Sequence, residues 1–155
     1  MAKILVTGGA GFIGSHTVLE LLNKNYEVVV VDNFSNSSFE SIRRVQKITG
    51  KTVTFYETDI RDRAAMEKIF AEHKFDAVIH FAAFKAVGES CRMPLKYYEN
   101  NISGTVSLLQ IMEKYNVKKI IFSSSATVYG DPERLPLDEN CRLSTTNPYG
   151  STKLM

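Results

Sequence analysis

The glycine-rich stretch from Val6 to Gly14 constrains the fold of this chain more than any other feature. It follows the apolar run Ile4–Val6 and opens a helical pattern of apolar residues, with glycines at positions 8, 11 and 14. Gly8 permits a tight turn, Gly11 lets the backbone approach a pyrophosphate, and Gly14 lets the helix pack close to the strand. The unpaired N–H groups of that helix would face the phosphates. Any turn favours glycine, so the spacing gains weight from the strand before it and the helix after it.

An acidic residue follows at the distance that a dinucleotide site requires. Asp32 ends the second apolar run, Val28–Val31. Its carboxylate can accept hydrogen bonds from both ribose hydroxyls of an adenosine. It would repel a 2′-phosphate, and no arginine follows at once, so NAD is favoured over NADP. The alternative is a strand-end aspartate that starts a turn with Asn33.

The composition is that of an ordinary globular chain. Its 155 residues make one domain or most of one, with 44% hydrophobic and 23% charged residues. The formal net charge of +2 comes without a basic stripe, so we expect no nucleic-acid partner. Two cysteines without metal-ligand spacing favour a reducing cytoplasm and no metal site. The N-terminus enters a strand directly and no apolar run could cross a bilayer, so we expect no membrane association.

Apolar runs alternate with helical patterns along the whole chain. The predicted strands are 3–7, 27–32, 52–56, 76–80 and 118–123, and the predicted helices are 12–24, 39–48, 63–73 and 95–116. This alternation is typical of an α/β fold, a Rossmann-like doubly wound parallel sheet covered on both faces. The expected strand order is 3-2-1-4-5, with the ligand at the carboxyl ends where the order reverses.

Two loops carry further candidates for cofactor contacts. The small, polar loop 33–38 can wrap the adenosine ribose, or it is a solvated connection. Asp59 can accept a hydrogen bond from the adenine amino group while Ile60 packs on the ring. Capping of the next helix by Asp59 or Asp62 is an equally simple account.

The fourth strand and the helix after it are also rich in candidates. Ala82 and Ala83 would let the backbone approach a cofactor, and Lys85 could meet a phosphate or a carboxylate, whereas His80 is expected to be a packed core residue. In the predicted helix 95–116, Asn100 or Asn101 could hold a loop or contact the nicotinamide ribose. The neighbouring tyrosines at positions 97 and 98 could face a partner subunit.

Hydroxyl groups and a tyrosine–lysine pair suggest a catalytic centre. The fifth strand ends in Ser123–Ser125, and the spacing Asn147-Pro148 predicts the start of a helix on which Tyr149 and Lys153 share a face. A tyrosine has an unperturbed pKa of about 10 and is a poor base at neutral pH. A nearby ammonium and the charge of an oxidised nicotinamide both favour the phenolate. Ser125 or Ser124 can share the proton path and bind the same substrate oxygen.

Three of these motifs resemble the extended short-chain dehydrogenase/reductase family. They are Thr7–Gly14, the Ser123–Ser125 strand end and Tyr149–Lys153. Residues 80–90 and 123–130 are further similar to the branch of the family that epimerises UDP-sugars at C4. The resemblance implies an isomerase that interconverts UDP-glucose and UDP-galactose through a 4-keto intermediate, with NAD as cofactor, a UDP-sugar as substrate and a homodimer as the full-length assembly.

Other activities stay open beside this one. The related 4,6-dehydratases carry an acidic pair where this chain has Ala126 and Thr127, which argues against dehydration. A decarboxylase, a UDP-N-acetylglucosamine epimerase or another nucleotide-sugar enzyme of the same fold is a second hypothesis. A non-catalytic nucleotide sensor is a third, and the intact Ser125, Tyr149 and Lys153 speak against it.

The resemblance also assigns roles to single residues. Tyr149 would be the base, Lys153 its electrostatic partner and the anchor of the nicotinamide ribose, and Ser125 the hydroxyl partner; Ser125 and Tyr149 would contact the substrate. The implied cofactor-binding residues are Gly8, Gly11, Phe12, Ile13, Gly14, Asp32, Asn33, Phe34, Ser35, Asn36, Ser37, Asp59, Ile60, Phe81, Ala82, Ala83, Phe84, Lys85, Asn100, Ser125, Tyr149 and Lys153.

The family members that the chain resembles continue well beyond Met155. We therefore expect residues 1–155 to form an incomplete NAD-binding Rossmann domain without the sugar-nucleotide domain, and to be inactive alone. A helix of about eight residues is unstable without packing, so we also expect residues 148–155 to be loosely held.

Overall fold

The computed structural model describes residues 1–155, in which strands and helices alternate. The strands are β1 (Lys3–Thr7), β2 (Glu27–Asp32), β3 (Thr54–Glu57), β4 (Ala77–His80) and β5 (Ile120–Phe122). The α-helices are α1 (Phe12–Asn23), α2 (Phe39–Thr49), α3 (Arg63–Glu72), α4 (Val87–Arg92), α5 (Pro94–Tyr97), α6 (Gly104–Lys114) and α7 (Pro148–Leu154). A π-helical segment covers Tyr98–Ser103 and a 3₁₀ turn covers Ala126–Tyr129.

The five strands form one parallel sheet in the order β3-β2-β1-β4-β5. In this sheet Val6 is paired with Val30 of β2 and with Ile79 of β4, and Ile79 is paired with Ile121 of β5. All strands therefore end at the same edge, and the chain changes direction across the sheet at β1. The predicted strand order and the Rossmann-like α/β class are confirmed.

Alternate side chains of the strands pack into two apolar cores, one on each face of the sheet. Leu5 and Val31 pack with Phe70 of α3 and Ile111 of α6 on one face. On the other face, Val6 and Val30 pack with apolar side chains of α1 and α2, which include Val18, Leu22, Ile42 and Val45. Burial on both faces explains why the central strands are almost continuously apolar.

The chain divides into two compact units. The first consists of Met1–Ala82 and Val106–Ser123 and contains the whole sheet. The second consists of Ala83–Thr105 and Ser124–Met155 and contains α4, α5, the π-helical segment, the 3₁₀ turn and α7. None of the helices is long and apolar enough to cross a membrane.

The predicted helix 95–116 is wrong as one regular element. The backbone instead runs through α5, the π-helical segment and α6. Adjacent residues of an α-helix point about 100° apart, yet Asn100 and Asn101 are both buried within the wider π turn. Tyr97 is also fully buried, with its hydroxyl donating to Glu89 Oε2 at 2.7 Å, so it does not face a partner.

Element boundaries differ elsewhere for physical reasons. The fifth strand is shorter than 118–123 because its last paired residue, Phe122, lies opposite His80, where β4 ends. The third strand begins at Thr54 rather than at position 52, because Thr54 is its first paired residue and lies opposite Val29. Helix α4 was not expected, since its six residues carry no periodic apolar pattern.

The expectation that residues 148–155 are loosely held is wrong. The Asn147 side chain caps α7 by accepting from Gly150 N at 2.8 Å. Tyr149 N donates to Ser90 Oγ at 3.2 Å, and Asn101 Nδ2 donates to Thr152 Oγ1 at 2.9 Å. A seven-residue helix is unstable in isolation, but these bonds and the burial of its inner face hold it to the second unit.

The His80 side chain is confirmed as a packed core group. It is buried in the sheet, and its Nδ1 lies 2.6 Å from the hydroxyl of Thr7, which is fully buried on the neighbouring strand. We expect Thr7→Val to destabilise the first unit by about 1–3 kcal/mol, because Nδ1 would lose its hydroxyl partner inside the core. Urea unfolding measures this change.

A matched variant separates the lost bond from the change of residue type. Thr17 bonds only the Ile13 carbonyl one turn back in its own helix. Thr17→Val should alter the free energy of unfolding by less than about 0.5 kcal/mol. Equal effects of the two variants would contradict the assignment of the Thr7–His80 bond as a stabilising contact.

Candidate functional site

The turn between β1 and α1 is closed by glycines that no larger residue could replace without a shift. Gly8 has a φ of +68°, and a Cβ built on it would lie 2.6 Å from Ala82 N. A Cβ on Gly14 would overlap the carbonyl oxygen of Gly8. Gly11 N donates to that same carbonyl at 3.2 Å. Gly8 therefore forms the predicted tight turn, and Gly14 allows the predicted close packing of α1.

The first turn of α1 leaves its backbone donors open. Gly11 is the N-cap and has no side chain to accept from them. The side chains of Phe12 and Ile13 are 77% and 54% exposed. Uncapped N–H groups and the positive end of the helix dipole together form a site for an anion such as a pyrophosphate.

The Asp32 carboxylate joins the end of β2 to the glycine turn. Its Oδ2 accepts from Ala10 N at 3.0 Å, and its Oδ1 accepts from Phe34 N at 3.0 Å and from Ser37 Oγ at 2.7 Å. The turn-forming alternative is thus an observed role of Asp32. A carboxylate oxygen has two acceptor positions, so Oδ2 can accept one further hydrogen bond.

The loop after β2 is ordered by its own hydrogen bonds. Asn33 Oδ1 accepts from Ser35 N at 3.1 Å, and its Nδ2 donates to Asp59 Oδ2 at 3.0 Å. The ring of Phe34 stacks on Phe55 with centroids 5.0 Å apart. Ser35 and its neighbour Asn36 are exposed.

Asp59 is an ion-paired acceptor, and the helix cap is Asp62. The Arg61 guanidinium donates to both oxygens of Asp59, at 3.0 and 2.9 Å, and lowers the pKa of Asp59 to about 2. Asp62 Oδ1 accepts from Ala65 N at 3.0 Å and caps α3. The side chain of Ile60 is buried in the core that contains Leu5.

The segment 81–85 is divided between the two units. Phe81 N donates to Thr7 O at 3.0 Å in the first unit, to which Ala82 also belongs. Ala83, Phe84 and Lys85 belong to the second unit, where Ala83 and Phe84 are half-buried and Lys85 is exposed.

Asn101 clamps this segment within the second unit. Its Oδ1 accepts from Phe84 N at 2.8 Å and from Asn100 Nδ2 at 3.0 Å, and its Nδ2 donates to Phe84 O at 2.9 Å and to Thr152 Oγ1 at 2.9 Å. One amide side chain therefore fixes a loop, the neighbouring Asn100 and helix α7. Of the two roles open to the asparagine pair, holding a loop is the one that Asn101 performs.

A second network braces the residues that follow. Tyr97 accepts from Ala86 N at 3.1 Å while donating to Glu89, and Lys96 Nζ donates to Glu89 Oε1 at 2.8 Å. Burial and the hydrogen bond to Glu89 raise the pKa of Tyr97 to about 12. The hydrogen bonds from Lys96 and Tyr97 lower the pKa of Glu89. This network ties the start of α4 to α5.

The three predicted catalytic residues lie in the second unit. Tyr149 and Lys153 are one turn apart on α7, and each is only 8% exposed. Burial lowers the pKa of Lys153 to about 8. Ser125 is half-buried and caps the 3₁₀ turn, whereas Ser124 is exposed.

Four supporting residues were not predicted from the sequence. Thr127 hydrogen-bonds Ser125, Gly150 lets α7 approach Thr127, Ser90 accepts from Tyr149 N, and Thr152 receives the amide of Asn101. The Ser-x-Thr spacing is typical of a local hydroxyl turn and could have indicated Thr127. Nothing in the local sequence marks Ser90. No group of three or more His, Cys, Asp or Glu side chains is arranged to hold a metal ion.

Comparisons with known proteins agree with this geometry. A sequence model of the family described as GDP-mannose 4,6 dehydratase matches residues 5–155. The chain is 64% identical over 152 residues to a UDP-glucose 4-epimerase of Bacillus subtilis. It superimposes on the UDP-glucose 4-epimerase of Bifidobacterium longum in complex with NAD+ and UDP with a TM-score of 0.97 and 58% identity. The UDP-Glc/GlcNAc 4-epimerase of Campylobacter jejuni gives a TM-score of 0.94 and 41% identity.

These relatives are about twice as long as the chain. The match covers 98% of this chain but 45% of the Bacillus subtilis protein. It covers 99% of this chain and 46% of the Bifidobacterium longum structure, and 100% and 46% for the Campylobacter jejuni structure.

The clamp formed by Asn101 can be tested by a substitution that keeps its shape. Asn101→Asp removes two donated hydrogen bonds and turns a carboxylate oxygen toward Phe84 O and Thr152 Oγ1. We expect a loss of about 2–4 kcal/mol in the free energy of unfolding, because buried groups lose their partners. The same change at the exposed Asn140 should have little effect. Similar urea midpoints for the two variants would contradict the clamp.

The buried ammonium of Lys153 makes stability depend on pH. Its folded pKa of about 8 lies below the ordinary lysine value of 10.5. Between these values the unfolded chain binds more protons than the folded chain, so the free energy of unfolding rises with pH across this window. The cost of burying the charge is fully present below pH 8 and amounts to at most about 3 kcal/mol.

We therefore expect Lys153→Met to be more stable than the unmodified chain at pH 7, and this advantage to shrink as the pH approaches 10.5. Lys153→Arg keeps its charge throughout this range, so its free energy of unfolding should not rise between pH 8 and 10.5 as that of the unmodified chain does. Urea unfolding at several pH values measures both differences. A constant difference between Lys153→Met and the unmodified chain would show that the charge of Lys153 is not the cause.

Proposed function

The chain belongs to the family described as GDP-mannose 4,6 dehydratase, and from this premise we propose that it is the NAD-binding portion of a UDP-glucose 4-epimerase. Residues 1–155 would form an incomplete Rossmann domain of that longer enzyme. The observation that carries the proposal is the burial of Tyr149 and Lys153 on one short helix, in the same unit as the hydroxyl of Ser125. The identity of 64% to an epimerase supports the same reaction.

The residues of the first unit fit an adenine dinucleotide. The glycine turn has no room for a Cβ at Gly8, Gly9 or Gly14 without a shift, and the first turn of α1 offers uncapped N–H groups. Gly8, Gly11, Phe12, Ile13 and Gly14 would hold the pyrophosphate. The adenosine would be held by Asp32, by Asn33 and the loop residues 34–37, and by Asp59 with Ile60. Asp32 disfavours a 2′-phosphate because its carboxylate is negative, which supports NAD rather than NADP.

Further cofactor contacts are proposed, with Lys85 near the phosphates and Lys153 as the anchor of the nicotinamide ribose. The full set is Phe81, Ala82, Ala83, Phe84, Lys85, Asn100, Ser125, Tyr149 and Lys153. The solved Bifidobacterium longum epimerase contains NAD+ and UDP. NAD would supply a reversible acceptor for the hydrogen at C4 of the sugar, so that no net oxidation occurs.

The chemistry of the protein's own groups follows from their charges. Lys153 is largely protonated at pH 7, because its pKa is about 8. Tyr149, one turn away from that ammonium on α7, would take the proton of the sugar 4-hydroxyl. Ser125 would hydrogen-bond the same sugar oxygen. After the 4-keto sugar rotates so that its other face meets the nicotinamide, the phenol returns the proton to the 4-oxygen of the other epimer.

Dehydration and a second sugar are the alternatives closest to this proposal. The chain has Ala126 and Thr127 where the related dehydratases carry an acidic pair, so it lacks the groups for removing water. Epimerisation of UDP-N-acetylglucosamine is the second candidate, because one close structure is a UDP-Glc/GlcNAc 4-epimerase. The higher identity to UDP-glucose 4-epimerases favours UDP-glucose.

We further propose that the full-length protein is a cytoplasmic homodimer without a nucleic-acid partner. The two cysteines, Cys91 and Cys141, are free thiols, as in proteins of reducing compartments. Val106 and Leu109 are exposed on α6, which offers an apolar helix face to a second subunit. The formal net charge of +2 offers little attraction to a nucleic acid.

Turnover of UDP-galactose by the full-length enzyme tests the proposed function. We expect UDP-glucose to form without accumulation of NADH at 340 nm. Tyr149→Phe should lower kcat by at least about 100-fold, since a general base contributes 10²–10⁴ in rate. Bound NAD, measured after release by denaturation, should remain. Tyr26→Phe, at an exposed position of the first unit, is the matched control and should keep its activity.

Each contrary result points to a different error. Stoichiometric NADH would identify a net oxidoreductase rather than an epimerase. Full activity of Tyr149→Phe would remove Tyr149 from the proton transfer. Tight NAD binding with no turnover of any UDP-sugar would identify a nucleotide sensor.

A further inference from the structure

The hydroxyl oxygen of Ser125 already accepts two hydrogen bonds. Thr127 Oγ1 donates to Ser125 Oγ at 3.0 Å, and Thr127 N donates to the same atom at 3.3 Å. A serine hydroxyl has two acceptor lone pairs and one proton. With both lone pairs engaged by Thr127, Ser125 has only its proton left to offer.

Thr127 is itself held in place beside the helix of the base. It lies in the 3₁₀ turn, and its carbonyl accepts from Gly130 N at 3.3 Å. A Cβ built on Gly150 would lie 3.0 Å from Thr127 O and 3.3 Å from Thr127 Oγ1. Gly150 directly follows Tyr149, so the missing side chain at position 150 lets α7 pack against Thr127 just beyond the base.

We propose that Thr127 is a positioning residue that fixes Ser125 as a hydrogen-bond donor in the reaction. This inference rests on the proposed epimerase function. It adds that Tyr149 accepts the proton while Ser125 only donates a hydrogen bond. The O4–H bond of the sugar breaks and its proton goes directly to the phenolate oxygen of Tyr149, while the hydrogen of C4 leaves with both bonding electrons as a hydride to the nicotinamide and the C4=O4 double bond forms. Ser125 keeps its own proton and donates it as a hydrogen bond to O4.

The alternative is a relay through Ser125. In a relay, Ser125 Oγ accepts the O4 proton while it passes its own proton to Tyr149. That step needs a free lone pair on Oγ, and the two bonds from Thr127 occupy both. The hydroxyl of Thr127 therefore decides which of the two paths Ser125 can serve.

Substitutions at Thr127 distinguish the effect of its hydroxyl group from the effect of its side-chain shape. Thr127→Val keeps the branched side chain but removes the Oγ1 donor, so Ser125 regains a lone pair and can rotate. We expect kcat of the full-length enzyme for UDP-galactose to fall about tenfold, while KM changes less than twofold, because a donor aimed at the reacting oxygen acts chiefly in the transition state. Thr127→Ser keeps the hydroxyl and should recover kcat to within about threefold of the unmodified enzyme.

A matched control lies on the same polar loop. Thr145 pairs through Oγ1 with Ser151 Oγ of α7 at 2.8 Å and has no bond to Ser125. Thr145→Val should leave kcat unchanged. Thermal unfolding of each variant shows whether the second unit keeps its fold.

A double-mutant cycle gives a readout that a purely structural role would not move. If Thr127 acts through Ser125, Thr127→Val adds no further loss of kcat once Ser125→Ala is in place. Equal factors in both backgrounds would overturn the inference, as would a kcat of Thr127→Val within twofold of the unmodified enzyme, or a Thr127→Ser variant as slow as Thr127→Val. Failure of the unmodified full-length enzyme to epimerise any UDP-sugar would instead refute the proposed function itself.

Discussion

The close approach of backbone to backbone at the start of α1 is the constraint on which the first unit depends. Gly8 and Gly14 occupy places where a Cβ would meet Ala82 N or the carbonyl of Gly8. Because the turn is so tight, the donors at the start of the helix stay uncovered and lie beside the carboxyl end of β1. Asp32 then reaches from the end of β2 to Ala10 N and fixes the same turn from its other side.

The second unit is organised by side-chain amides and hydroxyls rather than by apolar layers. The Asn101 side chain hydrogen-bonds both the N–H and the carbonyl of Phe84, and it donates to Thr152 of α7. Ser90 accepts from the first turn of α7 at Tyr149 N. A helix of seven residues can hold Tyr149 and Lys153 buried because these bonds compensate for its short length.

The buried Lys153 shows that this packing has a cost in stability. Removal from water lowers its pKa to about 8, so the charged form is disfavoured but still predominates at neutral pH. The burial that lowers this pKa also makes the unfolding free energy depend on pH between about 8 and 10.5.

The sequence by itself determined the parallel sheet, its strand order and the glycine turn. Apolar periodicity and glycine spacing express constraints between residues that are close along the chain, and such patterns can be interpreted without coordinates. The same local logic identified Asn147 as the cap of α7 and predicted that His80 is a core residue. It failed at the helix 95–116, because no periodicity distinguishes a π turn from an α turn.

Only the tertiary structure decided what the polar side chains contact. Asn101 and Thr152 are 51 positions apart, and Tyr149 and Ser90 are 59 positions apart, so no local pattern links them. The burial of Lys153, the choice of Asp62 as cap and the two donors on Ser125 likewise depend on where the backbone brings single atoms together. A hydrogen bond depends on distances of a few tenths of an ångström and on direction, and these are properties of the packed fold rather than of residue spacing.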